Sequence, residues 1–337
     1  MPTYWQIAAG GVGREFSDQF IRYGLAFVGI PQYPTMEQVK AGDILLLKRG
    51  LSKVMAVGRA LEWDGACVHF GDKPWLRDFD GWDLPGYCHV EWHVPKYPVF
   101  TSGLTRATIQ QVYQPEHVHL ADTVLASVPV STPIAPDPSP TNPVSDQQIL
   151  EFLIREGLRP ALAEDLTTAF RRIRLLASYY YNNCAWEDVR EHETRTFLIM
   201  PLLLALGWAE QQVKIELGVP QGRVDVACFS RPYQRDPGGQ PNVDDCVLLL
   251  ESKGFHSGLS FAPEQAKVYA QHFPSCKVVV VSNGFCYKTY CRTGDDFSVK
   301  PGAYLNILKP QDRYPLDPED VDGCLSVLKN LLPRLWA

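Results

Sequence analysis

Residues 246–254 read CVLLLESKG, and residues 222–229 read GRVDVACF. Five apolar residues followed by an abrupt Glu-Ser-Lys fit a strand buried on both faces of a sheet and emerging at its end. Side chains at i and i+2 of a strand share a face, so Glu251 and Lys253 project together. Charges leaving a buried strand need partners, and Asp225 of the neighbouring segment offers a second carboxylate. Residues 277–282, KVVVVS, repeat the apolar pattern, and 264–273, EQAKVYAQHF, carry helical spacing between the two runs. Strand, helix and strand in this order predict an α/β sheet.

Two carboxylates and a lysine at a strand end suit one chemistry in particular. Cleaving a phosphodiester needs a cation beside the phosphate and an acidified water. Mg²⁺ binds oxygen and uses one or two carboxylates, with water and phosphate filling the remaining positions. Asp225 and Glu251 are the candidate ligands, the Ser252 carbonyl a further oxygen, and Mn²⁺ a substitute ion. Lys253 is placed to orient water and to stabilise developing negative charge. Taken alone, Glu-Ser-Lys equally fits a solvated ion pair.

Working upstream, helical periodicity predicts helices over 146–158 and 163–183. A third runs from about Asp188 to Gly207, with a kink or break at Pro201. Before them, VPVSTPIAPDPSPTNPVSD (128–146) contains six prolines. It predicts a semi-rigid linker between residues 1–127 and 147–337. The first segment is punctuated by glycine: YWQIAAGG (4–11), YGLAFVGI (23–30), GDILLLKRG (42–50), KVMAVGRALEW (53–63) and the alternating HVEWHV (89–94). These read as strands of a small β-barrel with short helices, one of them near Arg14–Tyr23.

Several motifs in order carry a resemblance. ETRTFLIMPLLLALGW (193–208), RVDVACF (223–229), LLLESKG (248–254), EQAKVYAQHF (264–273) and VVVVSNGFCYKTY (278–290) resemble the N-terminal nuclease domain of type I restriction enzyme R subunits, a PD-(D/E)xK fold. The resemblance implies catalytic roles for Asp225, Glu251, Lys253, Glu193 and Gln265, with Tyr269 one turn beyond Gln265. Ser282 stands where that family has Thr before Asn-Gly. Glu193 equally fits a solvated first-turn glutamate, and Tyr269 ordinary core packing. The ATPase motif G-x-x-x-x-G-K-[ST] of the motor subunits is not found, so no ATP is expected.

Tyr4-Trp5, Gly24 to Gly29, Gly42-Asp43, Gly58 and the late HVEWH resemble the PUA-like superfamily that includes EVE and YTH domains. That resemblance implies a reader of a modified base flipped into an aromatic pocket. Trp5, Trp63, Trp75 and Asp43 are the candidate pocket residues, although Gly-Asp is also a common turn. Lys48, Arg49 and Lys53 are candidate phosphate contacts or a solvated turn. Joined to a nuclease, such a reader implies a modification-dependent DNA restriction endonuclease, acting on double-stranded DNA as a homodimer. A nuclease for unmodified DNA or RNA, or a non-cleaving binding module, are the alternatives.

The net charge of −6 counts against a uniformly basic DNA-binding surface, but not against one basic groove. Nine scattered cysteines predict reduced, mostly buried thiols, as in a cytoplasmic protein. The opening residues lack signal-peptide character, and no apolar run is long enough to span a membrane.

Overall fold

The computed structural model describes residues 2–71, 77–134, 141–183, 188–235, 238–239, 242–314 and 321–336. The protein is mixed α/β, with one curled half-barrel sheet and a second sheet. Its contacts divide into two units, Met1–Ser139 and Pro140–Ala337. No described helix is long and apolar enough to cross a membrane.

The first unit begins with β1 (Tyr4–Ala8), α1 (Ser17–Tyr23), β2 (Leu25–Val28) and α2 (Tyr33–Met36). It continues through β3 (Ile44–Arg49), β4 (Lys53–Ala60), β5 (Val68–Phe70), β6 (Gly86–His93), β7 (Val99–Phe100), β8 (Ile109–Gln111) and α3 (Pro115–Ser127). The main strand order is β2-β6-β4-β3-β1-β8, with β5 on β6 and β7 on β4. β1 and β3 run parallel. Each glycine-punctuated run became a strand. Gly58 is required by packing, because a Cβ there would lie 2.3 Å from Val90 Cγ1 and 2.6 Å from Trp92 Cε3. The helix near Arg14–Tyr23 starts later, at Ser17, because buried Arg14 instead donates to the carbonyls of Phe79 and Asp80. The sequence reading did not anticipate α3, whose Ala121 and Val124 pack with Ile44, Leu46, Val54 and Val57 in the core.

The linker expected over 128–146 is shortened at both ends. Val130 bridges to His93, and the Ile134 amide donates to the Arg22 carbonyl. Asn142 binds Asp312, and the Val144 amide donates to Pro310. Backbone hydrogen bonds therefore tie residues 130–134 to the first unit and 142–144 to the second. The prolines at 136, 138 and 140 lie outside the described residues.

The second unit opens with α4 (Asp146–Arg155) and α5 (Ala163–Asn182). Ser145 caps α4 in a reciprocal box with Gln148, as its sequence favours. Next come α6 (Glu191–Thr194), a π-turn (Arg195–Ile199) and α7 (Met200–Ala205). The break expected at Pro201 thus takes the form of a widened turn just before it. Proline has no N–H to offer the carbonyl four residues earlier, and a π-turn accommodates that loss.

The sheet of this unit comprises β9 (Val213–Val219), β10 (Gly222–Phe229), β11 (Cys246–Ser252), β12 (Val278–Ser282), β13 (Cys286–Thr293), β14 (Asp296–Phe297) and β15 (Ala303–Asn306). Its order is β14-β13-β12-β11-β10-β9, with β15 on β13. β11 and β12 are central, parallel and buried along their whole length, as their apolar runs require. Helix α8 (Ala262–Ala270) connects them, and α9 (Cys324–Asn330) packs against β15. The eight cysteines among the described residues are free thiols.

Candidate active site

Three adjacent strands meet at one row of acidic side chains. β10 and β11 are antiparallel, with Val226 opposite Leu250. The ladder ends there, and the next residue of β10, Asp225, bonds to Ser252, which follows Glu251 in β11, close enough for its charge to act on Glu251. β9 continues the row, since Val224 faces Leu217 and Val226 faces Ile215, placing Glu216 beside Asp225. Glu216 has φ +54°, a left-handed conformation unusual for a glutamate inside a strand. Strain of this kind clusters at functional sites.

Each oxygen of Asp225 is held. Its Oδ2 accepts the Ser252 amide at 2.7 Å and the Ser252 hydroxyl at 2.8 Å. Its Oδ1 accepts Nη1 of Arg195 at 2.7 Å. The same guanidinium donates through Nη2 to Glu216 Oε1 at 2.7 Å. Arg195 is 5% exposed and begins the π-turn, so the widened helical turn delivers a buried cation to the carboxylate row.

Glu251 is 4% exposed. Burial pushes its carboxyl up to about 7, with Asp225 and Glu191 adding to the rise and Lys253 opposing it. Lys253 Nζ donates to Glu251 Oε1 at 2.6 Å and lies 3.8 Å from Glu191 Oε1. Burial alone would pull the ammonium down, but its hydrogen bond and the surrounding carboxylates hold it above its ordinary value. Lys253 is therefore a fixed cation.

The helical carboxylate within reach of Lys253 is Glu191. Glu193 sits on the same short helix, and its charge, after burial, helps push up the Tyr180 hydroxyl. Its Oε2 is buried without a hydrogen-bond partner among the described residues. Gln265 donates to the Tyr269 hydroxyl at 2.9 Å. That hydroxyl lies 2.6 Å from where a Cβ of Gly222 would stand, at the start of β10. The Gln265–Tyr269 pair thus packs on the strand that carries Asp225, three residues away.

Ser282-Asn283-Gly284 has a structural reason. Asn283 is fully buried, donates to the Ser257 carbonyl at 2.8 Å and accepts the Cys286 amide at 2.9 Å. Gly284 has φ +93°, and a Cβ there would stand 2.6 Å from Leu198 Cδ1 and 2.8 Å from Thr194 Cγ2. Absence of a side chain lets the helix bearing Glu191 and Arg195 close onto the sheet.

Among the described residues, no three His, Cys, Asp or Glu side chains converge as a metal cage. A hard ion that takes one or two carboxylates does not need one. Asp225 and Glu251 fit that demand, whereas Glu193, whose charge acts on Tyr180, is not among the charges that act on Glu251. Across the row lie Glu216, Arg195, Asp225, Glu251 and Lys253, three carboxylates and two cations, with Asp225 and Glu251 as neighbouring carboxylates.

In the first unit, the expected pocket residues separate. Trp5 is 1% exposed, and its indole N–H donates to Asp43 Oδ2. Asp43 also accepts the amides of Thr3 and Lys40. Trp5 and Asp43 therefore brace a turn and the core, the turn reading of Gly-Asp, rather than lining a surface. Trp75 lies outside the described residues. Trp63 is 58% exposed and stacks on His89 with ring centroids 4.6 Å apart. His69 stacks on Tyr87 at 5.2 Å and meets His89 edge-on at 6.1 Å. His69 Nε2 is buried without a partner among the described residues. Burial and His69 pull His89 down, favouring a neutral imidazole. Sequence reading missed this histidine pair, because it arises from the pairing of β5 with β6. Lys48 is buried and drawn down by desolvation, so it is no surface phosphate contact, whereas Arg49 pairs with Glu15. Comparison with family models and with curated proteins finds no match for the chain.

Proposed function

We propose that this protein is a divalent-metal-dependent DNA endonuclease, with a PD-(D/E)xK core in its second unit and a PUA-like modified-base reader in its first. The observation that carries this reading is Asp225 bonded to Ser252 beside Glu251, with Lys253 bonded to Glu251, so that two carboxylates and a lysine gather at the ends of β10 and β11. Two carboxylates brought together, one of them buried, repel each other, which makes them poor choices for packing and good ones for holding a cation.

In this reading Asp225 and Glu251 hold Mg²⁺, or Mn²⁺ in its place. The ion supplies positive charge beside the scissile phosphate and makes nearby water more acidic. Ser252 fixes the orientation of Asp225 through two hydrogen bonds. Lys253 stays protonated, so it orients water and stabilises anionic charge rather than removing a proton. The exposed Trp63 offers an aromatic face for a flipped base, and His69 and His89 offer ring nitrogens to its edge. Cutting both strands calls for two copies of the site, hence a homodimer on double-stranded DNA.

The test uses the purified protein, Asp225→Ala and Trp63→Ala, with Mg²⁺ and three DNAs of one sequence: unmodified, cytosine-modified and adenine-methylated. The reading expects EDTA-sensitive cleavage of one modified DNA, abolished by Asp225→Ala, with Trp63→Ala narrowing the preference. Equal cutting of all three would remove the modified-base reader. Cutting that survives Asp225→Ala would remove the metal site.

A further inference from the structure

The carboxylate row contains a cation that metal-dependent hydrolysis does not by itself call for. Arg195 is buried, forked between Asp225 and Glu216, and held at 2.7 Å from each. Glu216 adopts a left-handed backbone inside β9 to meet it, and its other oxygen lies 3.5 Å from Arg223 Nη1. Two unusual local features, a π-turn on one element and a positive φ on another, thus converge on one guanidinium.

We infer that Arg195 is a positioning residue that weakens divalent-cation binding in order to hold Asp225 in place. This rests on the proposed metal site at Asp225 and Glu251. With Ser252 donating twice and Arg195 once, Asp225 keeps one lone-pair direction of about four. The carboxylate is aimed, but its charge is already shared with a cation. A second cation at that oxygen is repelled by the guanidinium, and in a buried setting that repulsion is substantial. Glu216 acts through Arg195: it draws the guanidinium partly away from Asp225 and adds a negative charge to the row.

The arrangement makes opposite predictions for two substitutions. Arg195→Met removes the competing charge at similar length, so Mn²⁺ affinity rises about tenfold while DNA cleavage falls, because Asp225 loses its brace. Glu216→Gln leaves Arg195 to Asp225 alone and removes a negative charge, so Mn²⁺ affinity falls. Arg195→Lys keeps the charge and returns affinity towards wild type.

Titration calorimetry with Mn²⁺ alone, without DNA, on wild type and these variants decides the matter, with Asp225→Asn as reference. Tighter binding in Arg195→Met, weaker in Glu216→Gln and near-normal in Arg195→Lys establishes the role. Unchanged or weaker binding in folded Arg195→Met overturns it. If Arg195→Met does not fold, Glu216→Gln decides alone, and unchanged or tighter binding there overturns the role. If Asp225→Asn binds Mn²⁺ as wild type does, the metal-site reading fails first.

Discussion

Glu251 is the most buried carboxylate of this site. Its carboxyl stands at about 7, first because burial disfavours its charge. The unfolded chain titrates it near the ordinary value of about 4.5. The folded state therefore binds the proton more tightly between those values. The associated stability is fully present below about 4.5 and is lost as pH rises through about 7, amounting to roughly 2–3 kcal/mol. Melts of the wild type in EDTA across this window should lose ground against Glu251→Gln as pH rises. Parallel curves for the two proteins would contradict the buried-acid assignment. At the same scale, Lys253→Met should slow cleavage about 10²–10³-fold, with folding retained. A variant cutting within a few fold of wild type would show that the ammonium has no part in the reaction. Glu251 and Lys253 were legible in the sequence because their i, i+2 spacing on one strand fixes a shared face. Arg195 and Glu216 were not, because neither spacing nor residue type announces a partner 20 to 30 positions away.

Two glycines set how closely elements approach. Gly284 combines a φ of +93° with a site where a Cβ would press on Leu198 and Thr194. Gly284→Ala should cost about 2–4 kcal/mol and push α6 and the π-turn off the sheet. The thermal melt should fall and Mn²⁺ binding should weaken with it. A stable Gly284→Ala protein with normal metal binding would mean that helix placement does not matter to the site. Gly58 plays the equivalent part in the first unit, where β6 crosses β4. The Pro201 break was legible, since proline cannot donate to the preceding turn. Its resolution as a π-turn starting at Arg195 was not, because a kink, a break and a wide turn all satisfy the same missing donor.

Contacts at the scale of the whole chain separate Met1–Ser139 from Pro140–Ala337, and each unit has its own sheet and core. On the proposed reading, the fragment 141–337 should melt cooperatively and cut DNA in an EDTA-sensitive way, without regard to base modification. Retained discrimination in that fragment would place the reader in the second unit. An unfolded fragment would show that the second unit depends on the first for its stability.

The apolar runs CVLLLES and KVVVVS determined by themselves that two buried strands form the heart of the second sheet. Hydrophobic burial acts on local composition, so it can be read residue by residue. Glycine spacing likewise announced the strands of the first unit. The tertiary structure alone decided which side chains share the site. Asp225 comes beside Glu251 by bonding Ser252 across neighbouring strands, Arg195 reaches both Asp225 and Glu216 through a helix packed on the sheet, and Trp63 meets His89 through a turn beside β6. Trp5 and Asp43, adjacent to promising motifs in sequence, satisfy one another in the core instead. Such pairings are long-range, and their geometry follows from how the elements pack, which no local pattern encodes.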